Sequence, residues 1–181
     1  MLNLLIIGLL AFGFYTGARR GLVLQGVYTV GYSLSFIVAK LNYEAWAKQL
    51  ELLVPYPSPS IDSHLLFFSD KILFRMDEAF YLGVAFITIQ TLGWLITRFV
   101  GMVCYRLTFF PVIRQVNTGL GGLLSFLVVY TGIFLCLFVL SMIPSAGIQQ
   151  LFQQSSLAQF MVKQTPYLSH QLYDWFVTAA L

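Results

Sequence analysis

The sequence predicts an all-α, polytopic membrane protein with four transmembrane helices and amphipathic interfacial helices in a single domain. Three observations predict this fold class: the composition, the length of the apolar segments, and the placement of the basic residues. Hydrophobic residues make up 59% of the 181 residues and charged residues only 9%, whereas soluble proteins average about 25% charged residues. Because these few charged residues cannot cover a core of this size, we expect lipid to solvate much of the surface.

Four apolar segments are expected to cross the membrane, and they lie at residues 2–18, 22–41, 80–97 and 120–143. An α-helix rises 1.5 Å per residue, so about 20 residues cross a hydrocarbon core of about 30 Å. The first apolar run is short, and the small residues Gly17 and Ala18 extend it. Arginines follow this run instead of preceding it, which is the reverse of a cleavable signal peptide. We therefore expect the first segment to remain as an anchor.

The basic residues set the expected orientation, because five of the ten lie in two short stretches between apolar segments that contain no acidic residue. These five residues are Arg19, Arg20, Arg98, Arg106 and Arg114. Short cytoplasmic loops of membrane proteins are rich in Lys and Arg. We therefore expect a multi-pass protein of the bacterial plasma or inner membrane with both stretches inside and both termini outside. The net charge of +3 is interpreted as this signal, and no nucleic-acid partner is expected.

The outer segment, residues 42–79, is expected to contain two amphipathic helices separated by a proline-rich break. Apolar residues recur at helical spacing over residues 43–54 and again over residues 61–79. Helices of this kind usually lie in the headgroup plane, and a small docking domain for a partner is the alternative. On the inner side, a short interfacial helix is expected to continue to about Phe110, where Pro111 breaks it.

The C-terminal tail, residues 145–181, is also expected to be amphipathic. It begins with a glutamine-rich stretch that we interpret as a turn. A helix capped by Ser155 or Ser156 follows, and another helix follows Pro166. The tail helices are too short for a fifth span.

Glycines recur every four residues at the end of the first segment and are frequent at the start of the fourth. In a membrane, small residues at this spacing allow two helices to approach closely. We expect these faces to pack helices together and to support a homo-oligomer. The candidates for topology and helix packing are Gly13, Gly17, Arg19, Arg20, Gly21, Asn117, Gly121 and Gly122.

A polar stripe runs along the second segment, where Gln25, Thr29 and Ser33 recur at four-residue spacing. Such a stripe should face other helices or a water-filled cavity. We favour interhelical hydrogen bonds, and a solute path is the alternative. Proton and ion pathways commonly use ionisable residues inside the membrane, and no predicted span contains one at depth.

No catalytic, cofactor or metal site is expected. The sequence contains no phosphate-binding glycine loop and no Ser-His-Asp arrangement. His64 and His170 are isolated, and neither Cys104 nor Cys136 has a ligand partner at metal-binding spacing. We therefore expect a protein that is not an enzyme and needs no cofactor.

Three sequence blocks together resemble the CvpA family, the bacterial colicin V production proteins. The first block is similar to the opening hairpin of the family, with its glycine-rich basic turn, and reads GFYTGARRGLVLQGVYTVGYSLSFIVA. VNTGLGGLLSFLVVYTGIFL is similar to the later glycine-rich helix, although Thr118 stands where the family usually has Arg. SSLAQFMVKQTPYL is similar to the terminal element. The blocks occur in the family's order, and the last one resembles Gram-positive members.

The resemblance implies a four-span membrane protein associated with toxin production or export, with no catalytic residues to carry over. We therefore expect a non-enzymatic protein in the lipid bilayer that supports colicin V or bacteriocin-type production or export and envelope homeostasis. Its expected partners are further copies of itself and a membrane or secretion protein. The alternative is a small oligomeric channel or transporter with a polar path near Gln25, Thr29 and Ser33.

Overall fold

The structure is a computed structural model that describes residues 1–57, 59, 64–68, 70–103 and 114–180. For residues 70, 71, 74, 114 and 115 it describes the backbone alone. Within these ranges the regular structure is helical and contains no strand. The all-α prediction is therefore confirmed.

Four helices are long and apolar enough to span a membrane, which confirms the predicted number of spans. They are α1 (Leu2–Arg20), α2 (Leu22–Leu50), α3 (Met76–Val103) and α4 (Arg114–Leu140). All four are longer than the apolar segments that predicted them. Hydropathy marks only the apolar part of a helix, whereas the backbone stays helical through adjoining polar residues to satisfy its hydrogen bonds.

The outer segment differs from the prediction. Helix α2 continues without a break to Leu50 because no proline or glycine interrupts it, so the expected separate helix over residues 43–54 is the end of α2. In place of the second outer helix, the described residues form bends at 66–68 and a 3-10 helix, Asp70–Arg75, that leads into α3. On the other side, α3 extends to Val103, and the expected break at Pro111 lies outside the described residues.

The tail forms three short helices, α5 (Ala146–Gln153), α6 (Ser156–Gln164) and α7 (Leu168–Leu172), followed by a π-helical segment at Tyr173–Thr178. The glutamine-rich stretch is thus mostly helical instead of a turn, which fits the good helix propensity of glutamine. Of the two serines expected to cap the next helix, Ser155 does so. Its hydroxyl oxygen accepts a hydrogen bond from the Ala158 N–H at 3.2 Å.

The chain divides into two compact units. The aromatic unit comprises Met1–Leu4, Asn42–Ile87 and Phe134–Leu181, and the glycine unit comprises Leu5–Leu41 and Thr88–Ile133. Each unit has its own kind of packing, and each is described by itself.

Aromatic side chains form the core of the aromatic unit. The Phe176 ring lies 5.7 Å from Tyr43, 5.7 Å from Phe86 and 6.2 Å from Phe138, measured between ring centroids. Phe176 comes from the tail, Tyr43 from α2, Phe86 from α3 and Phe138 from α4. The tail is therefore an integral part of this core.

Buried polar groups connect the loops of the aromatic unit. The Gln149 side chain donates to the carbonyls of Ile143 at 2.8 Å and Ser141 at 3.3 Å, and it accepts from the Leu66 N–H at 3.1 Å. The Tyr56 hydroxyl donates to the Met142 carbonyl at 2.9 Å. Burial, and next the nearby Asp77 carboxylate, raise the pKa of Tyr56, so this hydroxyl keeps its proton.

Candidate functional site

The predicted glycine candidates meet in the glycine unit, where α1 packs antiparallel against α4. A Cβ added at Gly13 would lie 2.7 Å from Val129, and one added at Gly17 would overlap Ser125. A Cβ at Gly121 would lie 2.8 Å from the Gly17 carbonyl oxygen. The two helices therefore touch backbone to backbone, as small residues allow.

The turn between α1 and α2 depends on two more candidates, Gly21 and Asn117. Gly21 has a φ of +81°, which a residue with a side chain rarely adopts. The Asn117 side-chain oxygen accepts a hydrogen bond from the Leu22 N–H at 2.6 Å. A Cβ at Gly21 would lie 2.5 Å from the Asn117 side-chain nitrogen. Asn117 of α4 thus caps the first turn of α2.

Gly122 and Gly119 are used differently. A Cβ at Gly122 would meet the Phe14 ring at 2.8 Å, so this glycine leaves room for a side chain of α1. Gly119 has open space where a Cβ would be. The glycine faces that we expected to support self-association are therefore occupied within the chain, and a homo-oligomer would use other surfaces.

A second close helix pair, α2 with α3, was not found by the sequence reasoning. A Cβ at Gly31 of α2 would lie 2.6 Å from the Thr97 hydroxyl oxygen, and one at Gly93 of α3 would overlap Ser35. Each hydroxyl donates to the glycine carbonyl four residues earlier in its own helix, Ser35 to Gly31 at 2.9 Å and Thr97 to Gly93 at 2.8 Å. The sequence does contain a pattern typical of close helix packing here, because each helix has two small residues at four-residue spacing.

The polar stripe does not form one continuous face. Gln25 is 1% exposed, Thr29 is half-buried and Ser33 is exposed. The Thr29 hydroxyl donates to the Gln25 carbonyl at 2.8 Å, and the Ser33 hydroxyl donates to the Thr29 carbonyl at 2.9 Å. A four-residue repeat drifts around a helix with 3.6 residues per turn, which separates the two ends of the stripe. Both hydroxyls are thus satisfied by their own helix.

Two buried amide oxygens of the glycine unit have no hydrogen-bond donor among the described residues. They are the side-chain oxygens of Gln25 and Gln90. The Gln90 side-chain nitrogen donates to the Tyr32 carbonyl at 3.3 Å. A buried acceptor without a donor is costly, so both oxygens are available to a water molecule or a ligand.

Basic and aromatic side chains associate near the Gly21 turn. The Arg20 guanidinium carbon lies 5.1 Å from the centroid of the Tyr28 ring, and that of Arg98 lies 5.4 Å from the same centroid. Arg19 lies 5.9 Å from the Tyr15 ring. These are cation–π distances. The sequence indicated the arginines but not the aromatic rings that hold them.

Within the described part of the chain, no group of three His, Cys, Asp or Glu residues could hold a metal ion. The aromatic unit has an acidic groove of about 410 Å³ whose charged lining residues are Glu44, Lys48, Glu51, Asp77 and Glu78.

Comparison with known proteins adds a family assignment to this geometry. The sequence profile described as colicin V production protein matches residues 2–166. The chain is similar to the uncharacterized transmembrane protein YshB of Bacillus subtilis (strain 168), with 34% identity over 174 residues and 96% of each chain covered. No solved structure matches the chain at a significant level. The profile match includes both close helix pairs and the Asn117 cap.

Proposed function

Because this chain belongs to the colicin V production protein family, we propose that it is a non-enzymatic membrane protein that supports toxin export and envelope homeostasis. The observation that carries the proposal is the family match over residues 2–166 of a multi-pass membrane protein. The close packing of α1 with α4 supports a structural and accessory role, because these helices are held together along their backbones. The cell membrane of a bacterium is the proposed location, with both termini outside.

Deletion of the gene in its own bacterium tests this proposal. We expect reduced secretion of toxin-type peptides and reduced tolerance of membrane-active compounds. Wild-type protein and Gly8→Leu should restore both, because Gly8 has open space around it, whereas Gly17→Leu should restore neither. Quantitative proteomics of the culture medium and growth under envelope stress are the measurements. Unchanged secretion together with unchanged stress tolerance would reject the proposal.

A membrane or secretion protein is the proposed partner, alongside further copies of the chain. The native mass of the complex, extracted gently from its own membrane, tests this part. A second protein in a fixed ratio would support the accessory role and identify the pathway. A pure assembly of several copies would instead favour the channel described next.

A small oligomeric channel is the second candidate, and one observation favours it. The buried side-chain oxygens of Gln25 and Gln90 have no donor among the described residues, and water in a path would supply one. Gln25→Cys, in a protein whose Cys104 and Cys136 are replaced by Ser, should then react with water-soluble thiol reagents. Leu34→Cys, at a 58% exposed apolar position, is the lipid-facing control. Protection of both cysteines would remove this candidate.

A further inference from the structure

Two arginines from different helices share one aromatic ring in the glycine unit. Arg20 is the last residue of α1, and Arg98 lies near the end of α3. Their guanidinium carbons lie 5.1 Å and 5.4 Å from the centroid of the Tyr28 ring. The two carbons are therefore no farther apart than the sum of these distances, so two positive charges lie close to one ring.

The packing of Tyr28 fixes this arrangement. The Tyr28 side chain is 5% exposed and stacks on Tyr32, with 6.1 Å between ring centroids. Gly101 of α3 makes room for it, since a Cβ there would lie 2.5 Å from the Tyr28 hydroxyl oxygen. Arg20 and Arg98 themselves are only half-buried. The fixed ring thus contacts two guanidinium groups that remain accessible, and the Arg98 group also lies 5.2 Å from the centroid of the Trp94 ring.

The glycine unit contains no acidic residue to neutralise these charges. Its residue ranges contain six Lys and Arg residues, and all seven acidic residues of the chain lie in the ranges of the aromatic unit. Neither Arg20 nor Arg98 has an acidic partner among the described residues. Guanidinium groups stay charged at any physiological pH. The first turn of α2, next to Arg20, also lacks an acid, and its helix dipole adds positive potential.

The position along the helices indicates the source of the missing anion. Arg98 lies about 33 Å along α3 from Met76, at 1.5 Å per residue, while the hydrocarbon core is about 30 Å thick. Arg20 lies at the end of α1, which is itself a membrane-spanning helix. Both guanidinium groups are therefore expected at the level of the lipid headgroups, where phosphodiesters are the abundant anions. A guanidinium fork matches the geometry of phosphate oxygens.

We propose that Arg20 and Arg98 together bind the phosphodiester of an anionic phospholipid headgroup, with Tyr28 as the platform that holds both arginines. The arginines bind a pair of phosphate oxygens, and a lipid of the membrane provides this phosphate. This site is independent of toxin export, so it can be tested whatever pathway the protein serves.

Native mass spectrometry of the full chain, released from nanodiscs of phosphatidylcholine and phosphatidylglycerol in equal parts, tests the proposal. We expect wild-type protein to retain phosphatidylglycerol selectively. The double variant Arg20→Gln with Arg98→Gln should retain it on the order of tenfold less, since each basic residue near an anionic surface contributes to binding. Arg19→Gln is the matched control, because it removes the same charge from the adjacent residue, which lies over Tyr15 and not over Tyr28. Its retention should equal that of wild type.

Three outcomes would overturn the proposal. The first is equal loss in the Arg19 variant, which would show a general effect of surface charge. The second is equal retention of phosphatidylcholine and phosphatidylglycerol by wild type. The third is thermal stabilisation by inorganic phosphate in phosphatidylcholine nanodiscs that matches stabilisation by phosphatidylglycerol, which would assign the site to free phosphate.

A lysine pair keeps the test decisive where the glutamine pair does not give monodisperse protein. Arg20→Lys with Arg98→Lys preserves both charges but loses the two forks that match phosphate oxygens. If the lysine pair retains less phosphatidylglycerol than wild type but more than the background level of the nanodiscs, the result supports the site. Retention equal to wild type would overturn recognition by the guanidinium geometry.

Discussion

At the scale of single residues, the glycines of this chain fall into two groups. At Gly17 an added Cβ would overlap atoms of the facing helix, whereas at Gly8, on the same helix, it would meet nothing within 4 Å. The difference follows from position alone, since both residues are helical. A glycine is thus needed only where atoms of another segment approach closely, and the sequence by itself shows the spacing but not the partner.

Gly17→Leu is expected to destabilise the protein strongly, because its side chain would have to displace Ser125 and the Gly121 backbone. Overpacking of this kind costs about 1–3 kcal/mol or more. Gly8→Leu should leave the free energy of unfolding nearly unchanged. Thermal unfolding of both variants in detergent micelles provides the comparison. Equal stabilities would contradict the packing of α1 against α4.

Asn117→Ala should lower the free energy of unfolding by about 1–2 kcal/mol, since it leaves the Leu22 N–H without its acceptor. Asn117→Asp keeps an acceptor oxygen at this position and is expected to lose less. Unfolding in increasing concentrations of sodium dodecyl sulfate measures both. An alanine variant as stable as wild type would show that water replaces the cap.

At the scale of the elements, the two close helix pairs share one design. Each pair is antiparallel, and small residues at four-residue spacing bring the backbones together. In the pair of α2 with α3, each hydroxyl residue packs on the glycine of the other helix. This reciprocity predicts that changes on the two helices are coupled.

Gly31→Ala should destabilise the glycine unit, because the new methyl group would overlap the Thr97 side chain. Thr97→Ser in the same chain removes a methyl group at the contact and should restore part of the loss. Gly26→Ala, in open space on the same helix, is the control and is expected to be neutral or slightly stabilising. A double-mutant cycle on the unfolding free energies measures the coupling. Additive effects would contradict a direct contact.

Gln149→Ala should destabilise the aromatic unit by about 2–3 kcal/mol. The change leaves two backbone carbonyls and one backbone N–H in the apolar interior without hydrogen-bond partners. Gln150→Ala changes an exposed residue of the same helix and should have little effect. Thermal unfolding followed by circular dichroism distinguishes them. A Gln150 variant that is as unstable as the Gln149 variant would contradict a specific role of the Gln149 hydrogen bonds.

At the scale of the whole molecule, the two units differ in charge as well as in packing. All charged residues in the sequence of the glycine unit are basic, whereas acidic residues outnumber basic residues in the aromatic unit. Charge asymmetry of this kind governs how a membrane protein is oriented on insertion.

The expected orientation places the end of α3 in the cytoplasm and the end of α4 outside. A green fluorescent protein fusion after Val103 should fluoresce, and an alkaline phosphatase fusion after Pro144 should be active. Reciprocal fusions, with the two reporters exchanged, are the controls and should be silent. The opposite pattern would reverse the orientation of all four helices.

Hydropathy was sufficient to predict the fold class and the four spans, because membrane insertion depends on apolar length. The glycine spacing predicted that Gly13 and Gly17 lie at a helix contact, but the sequence could not say that α4 covers them. The contacts of Gln149 with Leu66 and of Tyr28 with Arg98 were also beyond prediction, because each joins segments far apart in the chain. The two residues of the Asn117 cap illustrate this, since Leu22 and Asn117 lie 95 positions apart.

The pairing of α1 with α4 has a consequence for biogenesis. A ribosome that adds about 5–20 residues per second needs roughly 5–20 s to travel from Gly17 to Ser125. During this interval the first helix resides in the bilayer without its final neighbour, while its glycine face meets lipid or an insertion factor. Helix α1 therefore gains its packing partner only after α2 and α3 have been synthesised, and a nascent chain arrested after α3 would lack the contact between α1 and α4.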